Sequence, residues 1–294
     1  MSASSIAGKR LERHEFRERE RRPNGQLRPK PADLLGVIYL VVDPDVCGGP
    51  CISYAMLDKL SHSLRSLRHV MPDRAVCVYT FTFDGTEHPS LLTAIHPFGV
   101  TIKHLGRLPA HTRDSSMSAL QNLKHDILMC KIDVVAFHPT AAVFVDVDTE
   151  WVRPLPDYGL PAALHIKESY SLSGAVRSLE HVWSTIGRPS PPPDHCMWNS
   201  GLIHIPLADK ASVVQIARDL VRDLKKQPGK HRLDHVLDEQ LALSYAMQQC
   251  YGDHIVAGAQ FVKHLWVAIH RGEYYWQSGA EKPAAVALAS PASQ

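Results

Sequence analysis

The chain of 294 residues lacks several features that would assign it to a broad class. It has no run of about 18 apolar residues, so we expect no membrane-spanning helix. Its first 26 residues lack the apolar core of a secretory signal peptide. The formal net charge is only +2, which does not favour nucleic acid as a partner. These absences lead us to expect a cytoplasmic protein with no integral membrane segment.

Cysteine is also sparse and scattered. The six residues are Cys47, Cys51, Cys77, Cys130, Cys196 and Cys250. Cys77 and Cys130 lie within apolar runs and are expected to be small buried hydrophobic side chains. Cys47 and Cys51 are the only close pair. A disulfide or a metal site is one alternative there, but free thiols in a reducing compartment are the preferred interpretation.

Composition divides the chain into three parts. Residues 1–33 are rich in Arg and Glu and contain too few apolar residues to pack a core. Residues 34–276 have the composition of a folded domain, with a length suited to a single large unit. Residues 277–294 are a low-complexity Ala/Ser/Pro segment. We therefore expect one domain between two disordered tails.

The front of the domain alternates predicted strands and helices. The predicted strands are Leu34–Val42, Ala75–Phe83, Val100–Leu105 and Ala142–Val145, and the helices are Ser53–Val70, a short one from Pro89, and Ser115–Phe137. This order is typical of an α/β fold with a mostly parallel, Rossmann-like sheet flanked by helices. The rear half is more irregular, with strands at Ala162–Lys167 and Leu202–Ile205 and helices at Lys210–Lys226 and Leu237–Gln249.

Two aspartates, Asp146 and Asp148, follow directly on the strand Ala142–Val145. Side chains two residues apart on a strand point to the same face, so the two carboxylates are expected to converge. Ligands of open α/β sheets bind at the carboxyl ends of the strands. Two hard oxygen ligands there suit Mn²⁺ or Mg²⁺, which commonly bridges to a phosphate. The alternative is a strand that ends in two solvated acids.

Further polar residues lie where they could join this pair. Lys131 precedes the strand by about one helical turn and a loop, and could contact a diphosphate as a point charge. A lysine on a solvated helix face is the alternative. Asn199, Ser200 and Gly201 precede a predicted strand, where the first two could bind sugar hydroxyls and the glycine would let backbone approach a ligand. The same tripeptide is also a good turn signal.

The last candidates lie near the end of the domain. Asp238, Glu239 and Gln240 open a predicted helix, where the acids could serve chemistry or could simply favour the positive end of the helix dipole. His264 and His270 are two of 18 histidines, so either one alone is a weak metal-ligand candidate. As a ligand, an imidazole would favour Mn²⁺ over Mg²⁺.

Taken in order, these segments resemble a known family. They are Lys131-x-Asp133, the run 142–149 (AVFVDVDT), the run 198–202 (WNSGL), the run 238–241 (DEQL) and the run 262–265 (VKHL). The chain from about 34 to 276 is thereby similar to the glycogenin and lipopolysaccharide-galactosyltransferase group of retaining glycosyltransferases, which have a GT-A fold. This resemblance implies a sugar transferase whose donor is a UDP- or GDP-sugar.

The resemblance also implies roles for individual residues. Asp146, Asp148 and His264 would hold Mn²⁺ or Mg²⁺ on the donor diphosphate, with Val147 between the aspartates. Lys131 would contact the donor, and Asn199 and Ser200 would line the sugar site. Catalysis is implied for the cluster Asp238, Glu239 and Gln240, beside the sugar. Val42 and Asp43 would flank the nucleotide base.

The sequence departs from that pattern in two places. The first strand leads into DPDVCGGPC rather than a loop with a base-stacking tyrosine, and residues 169–194 form a proline-containing insertion on the expected acceptor side. The identity of the acceptor is therefore left open, and it could be a glycan, a protein or a small molecule. Whether the chain forms a homodimer is also left open. Alternative functions are a nucleotidyltransferase, a phosphatase and an inactive sugar-binding scaffold.

Overall fold

The computed structural model describes residues 35–42, 50–82, 85–86, 89–110, 119–166, 198–225 and 238–265. Side chains at the helix positions 50–55, 90, 119–121, 123–124, 224–225 and 238 are not among the described ones. The predictions for both tails, for Asp43, for the insertion 169–194 and for His270 therefore lie outside the described residues. So do those for the side chains of Cys47 and Cys51.

Apolar strands form the front of a seven-stranded sheet. The strands are β1 (Gly36–Val42), β2 (Val76–Thr82), β3 (Thr101–Arg107) and β4 (Ala142–Val145). They lie in the order β3-β2-β1-β4, and all three neighbouring pairs are parallel. Parallel neighbours need crossover connections, which helices supply. These are α1 (Pro50–Val70), α2 (Pro89–Ile95) and α3 (Ala119–Phe137). The predicted mostly parallel α/β fold is confirmed.

The rear of the sheet is built from shorter strands. They are β7 (Leu202–His204), β6 (Ala163–Leu164) and β8 (Val256–Ala257), which extend the sheet beyond β4 in that order. Strand β7 is antiparallel to both β4 and β6. Helices α4 (Lys210–Lys225) and α5 (Asp238–Tyr251) complete this half.

Two apolar layers cover the sheet, as the alternation of side chains in β1 illustrates. Val37, Tyr39 and Val41 pack in one layer together with α1, whereas Ile38 packs in the other layer with residues of α3, α4 and α5. Such alternation is what a strand buried on both faces requires. Cys77 and Cys130 are buried free thiols, as the sequence predicts.

A separate two-stranded sheet lies next to the end of β4. Strand β5 (Thr149–Trp151) pairs antiparallel with β9 (Val262–His264), and Thr149 is the register partner of His264. This pairing joins segments that are more than 100 residues apart. Within the described residues, none of the helices has the length and apolar character needed to cross a membrane.

Candidate metal centre and adjoining cavity

The two aspartates lie in a turn between β4 and β5. We expected them to extend the strand, but β4 ends at Val145, so strand alternation does not orient them. The turn is held instead by hydrogen bonds: the Asp146 amide donates to the Gly201 carbonyl at 2.9 Å, and the Thr149 hydroxyl donates to the Asp146 carbonyl at 2.8 Å. The convergence that we predicted is therefore reached through a turn.

His264 meets the aspartates because β5 pairs with β9. The Leu265 amide donates to the Asp148 carbonyl at 2.9 Å, which fixes the end of β9 against the turn. The His264 Nε2 atom lies 3.4 Å from Asp146 Oδ2 and 3.5 Å from Asp148 Oδ1. One ligand atom from each residue lies within 4.8 Å of the other two. Among the described residues, this is the one such group of His, Cys, Asp or Glu.

Gly201 leaves the space that the His264 ring occupies. A Cβ atom at position 201 would overlap the His264 Cδ2 atom and lie 2.7 Å from its Nε2 atom. It would also lie 2.8 Å from Asn199 Oδ1, which accepts the Gly201 amide hydrogen at 2.8 Å. Asn199 therefore shapes the loop beside the histidine. The glycine is required here by close approach.

Lys131 on α3 makes an ion pair with the first aspartate. Its Nζ atom lies 2.9 Å from Asp146 Oδ2 and 5.9 Å from the centre of the Phe144 ring. Burial pushes the pKa of Asp146 upward, but the charge of Lys131 and hydrogen bonds from His264 and Lys131 outweigh it and lower the pKa to about 2. For Lys131, burial lowers the pKa, but Asp146 and the other nearby carboxylates outweigh it and raise the pKa. Both groups are charged at neutral pH.

Glu239 is a buried carboxylic acid near this ion pair. It is 1% exposed, and its Oε2 atom accepts a hydrogen bond from Ser200 at 3.1 Å. Its Oε1 atom has no hydrogen-bond partner among the described residues. Burial raises the pKa of Glu239 to about 7, with a further contribution from Asp146, against the opposing effects of Lys131 and Ser200. Gln240 is also buried, and α5 begins at Asp238.

An open cavity of about 280 Å³ adjoins the aspartates. It lies between the end of β1, helices α1 and α3, and the turn after β4. The lining residues are Leu40, Val42, Met56, Lys59, Ile127, Lys131, Phe144, Asp146, Val147 and Asp148. Four of our predicted donor residues besides Lys131 are thus on its wall: Val42, Asp146, Val147 and Asp148.

Lys59 is a cavity residue that we did not predict from the sequence. It lies on α1 three residues after Met56, so both side chains can reach the same face. A lysine that borders the apolar face of the first crossover helix was the available signal. Lys59 and Lys131 thus line the cavity from two different helices, α1 and α3.

His165 is a second residue that we did not predict. Its ring centre lies 5.4 Å from that of His264, and its Nε2 atom lies 3.2 Å from the Val262 carbonyl oxygen, to which it can donate. Its Nδ1 atom is buried with no hydrogen-bond partner among the described residues. Burial, together with the charge of His264, lowers the pKa of His165 to about 4. His165 is therefore neutral beside the site at neutral pH.

Comparison with known proteins gives structural matches only. No protein-family model and no curated protein sequence matches the chain. The galactosyltransferase LgtC, solved with donor and acceptor sugar analogues, is 10% identical with a TM-score of 0.44 over 76% of this chain and 73% of that one. Mouse xyloside xylosyltransferase 1, in its apo form, is 10% identical with a TM-score of 0.46 over 76% and 84%.

Both of these solved structures are glycosyltransferases, the class that the sequence motifs resemble. Their TM-scores lie below 0.5 and their identities are low. The activity of this chain must therefore be inferred from its own side chains.

Proposed function

We propose that the chain is a metal-dependent glycosyltransferase that moves a sugar from a nucleotide-diphosphate sugar to an acceptor, with retention of configuration. The observation that carries this proposal is the group Asp146, Asp148 and His264, whose two aspartates line a cavity that two lysines also line. Carboxylates alone would repel a diphosphate. A cation held by them, together with lysines, reverses that repulsion.

The three side chains fit a divalent cation of the Mn²⁺ or Mg²⁺ type. Two carboxylates are hard oxygen ligands, and one imidazole favours Mn²⁺ over Mg²⁺. Gly201 supports the fit because it leaves room for the imidazole where any other residue would displace it. When bound, such a cation acts as a Lewis acid that stabilises charge on a departing diphosphate.

The lysines would bind and orient the diphosphate. Lys131 already contacts Asp146, so its ammonium group lies beside one of the residues that would hold the cation. Lys59 approaches from α1 on another wall of the cavity. Two fixed positive charges in a partly buried site stabilise a phosphate more strongly than they would in bulk water. The apolar residues Leu40, Met56 and Ile127 would then exclude water around the nucleoside.

Glu239, Ser200 and Gln240 would contact the donor sugar. The unpartnered Oε1 atom of Glu239 can accept a hydrogen bond from a sugar hydroxyl, which would satisfy a buried polar atom. A carboxylate or amide next to the reacting carbon also stabilises the oxocarbenium-like transition state of glycosyl transfer. Our proposal also assigns Asp238 to this catalytic cluster. The acceptor of the sugar could be a glycan, a protein or a small molecule.

A donor-hydrolysis assay tests this proposal. The full chain is treated with EDTA, dialysed, and incubated with a panel of UDP- and GDP-sugars with and without MnCl₂ while nucleotide release is followed. We expect Mn²⁺-dependent release from at least one donor. Nucleotide binding without any release would favour the scaffold alternative. Release of phosphate from simple phosphomonoesters, with every nucleotide sugar intact, would favour the phosphatase and overturn the proposal.

A further inference from the structure

A continuous chain of hydrogen bonds, buried except for its partly buried last bond, runs from β1 through α1 to the aspartate turn. The Trp151 indole Nε1 atom donates to the Tyr39 hydroxyl at 2.8 Å, and the Tyr39 and Ser63 hydroxyls are 2.9 Å apart. The Ser63 and Thr149 hydroxyls are 3.0 Å apart, and the Thr149 hydroxyl donates to the Asp146 carbonyl at 2.8 Å. We call Tyr39, Ser63 and Thr149 the hydroxyl relay.

The two ends of the relay determine its direction. Thr149 has one hydroxyl hydrogen, and the Asp146 carbonyl can only accept, so Thr149 must receive its other bond from Ser63. By the same argument, Ser63 must receive from Tyr39, and Tyr39 receives from the indole of Trp151, which can only donate. Each hydroxyl therefore donates once and accepts once. Burial raises the pKa of Tyr39 to about 12, against smaller opposing effects of its hydrogen bonds and of Arg68, so the phenol keeps the proton that it donates.

The relay is shielded from solvent along its whole length. Tyr39, Ser63 and Thr149 each have an exposed fraction of 0%. Water cannot replace a lost partner there without a new cavity, so a broken bond leaves a buried donor or acceptor unsatisfied. Hydrogen bonds that align along a chain also polarise one another. The backbone of the turn is thereby joined to the packed face of α1 by oriented bonds.

We propose that the hydroxyl relay is a positioning device that holds the Asp146–Asp148 turn in the geometry that binds the divalent cation. This inference rests on the proposed function only in assuming a cation at the aspartates. The Thr149 hydroxyl bonds to the Asp146 backbone, and Thr149 is the register partner of His264 in the β5–β9 sheet. Thr149 therefore contacts the aspartate turn and also lies next to the strand that carries the histidine. The relay residues act through the turn and do not contact the cation.

The relay also joins the turn to the helix that lines the cavity. Ser63 lies four residues after Lys59 on α1, which places the two side chains on neighbouring positions of one helix face. Trp151 adds a second connection, since its amide donates to Ser66 at 3.0 Å. A shift of α1 would therefore move the wall of the cavity and the metal turn together.

The experiment compares Thr149→Val, which removes the hydroxyl and keeps the shape, with Thr149→Ser, which restores the hydroxyl. Thr101→Val is the matched control, because Thr101 is an exposed threonine in β3. Mn²⁺ affinity of the full chain is measured by calorimetry with MnCl₂ alone, and hydrogen exchange by mass spectrometry follows a peptide that covers 144–151. We expect Thr149→Val to weaken Mn²⁺ binding about tenfold and to speed exchange in the turn. Thr149→Ser and Thr101→Val should retain wild-type values.

Ser63→Ala provides a second break in the relay if Thr149→Val does not fold. Wild-type Mn²⁺ affinity and wild-type exchange in a folded Thr149→Val or Ser63→Ala variant would overturn the inference. A lower melting temperature with unchanged metal affinity and exchange would also overturn it, because the hydroxyls would then serve only packing. If the wild-type chain binds no Mn²⁺, the metal part of the proposed function fails, and the exchange data alone decide whether the relay orders the turn.

Discussion

The front and rear halves of the sheet differ in how their residues are used. Strands β1 and β2 are seven residues long, run parallel, and bury apolar side chains on both faces. Strands β6 and β8 have two residues each and β7 has three, yet polar side chains around them are buried, including Asn199, Ser200 and Glu239. The front half thus provides the frame and the charged residues that line the cavity, whereas the rear half supplies the other polar groups of the candidate site.

A core truncation in the front half should have the largest effect on folding. Leu67 on α1 is fully buried in the apolar layer against β1 and β2. Leu67→Ala should lower the free energy of unfolding by about 2–5 kcal/mol because it removes apolar contacts and leaves a cavity. Urea denaturation measures the free energy of unfolding, and calorimetry with MnCl₂ at low temperature measures the Mn²⁺ affinity of the site. If the free energy of Mn²⁺ binding fell by as much as the free energy of unfolding, the frame and the site would not be separable.

A methyl group at position 201 should lower metal affinity more than stability, which is the opposite of the effect expected for Leu67→Ala. Gly201→Ala forces the His264 ring out of its place, and we expect Mn²⁺ affinity to fall about tenfold or more. The strain should reduce stability by about 1–3 kcal/mol. Gly36→Ala in β1 is the matched control, since a Cβ atom there meets its nearest neighbours at 3.7 Å, an ordinary contact. Wild-type metal affinity in Gly201→Ala would contradict the assignment of His264 as a ligand.

Removal of the α1 cavity charge should have the smallest effect. Lys59→Met should weaken binding of UDP or GDP in the presence of Mn²⁺ about tenfold, which corresponds to about 1.4 kcal/mol for one charge-assisted contact. Arg65→Gln removes a charge from an exposed position of the same helix and should leave affinity unchanged. A fluorescence competition assay measures the nucleotide affinity of both variants. Equal losses of affinity would show that Lys59 acts only through the net charge of the helix and not through a contact with the nucleotide.

The elements of the front half could be predicted closely from the sequence. Continuous apolar runs and a proline after α1 predicted β1, β2 and α1 with similar bounds, because those signals are local. Helix α3 lies within the predicted range Ser115–Phe137, and residues 115–118 of that range lie outside the described residues. In the rear half, the predicted strand from Ala162 shortens to Ala163–Leu164.

The site could be predicted in composition but not in geometry. Strand alternation predicts the convergence of Asp146 and Asp148, but both residues lie in a turn that hydrogen bonds from Asp146 and Thr149 hold. His264 could not be separated from His270 by spacing, because its position depends on the pairing of β5 with β9 across more than 100 residues. His165 gave no local signal, since its neighbours in the site, Val262 and His264, lie far along the chain. Long-range pairing is what single-sequence patterns do not contain.

The most direct test of the proposed metal centre is calorimetric titration of UDP and GDP into the full chain with MnCl₂, for the wild type and for Asp148→Asn. The account predicts Mn²⁺-dependent binding of one nucleotide to the wild type and a loss of about 100-fold or more in the variant, with stability within about 0.5 kcal/mol of the wild type. Asp253→Asn, at an exposed position, should match the wild type. Equal nucleotide affinity in Asp148→Asn and the wild type would contradict the account.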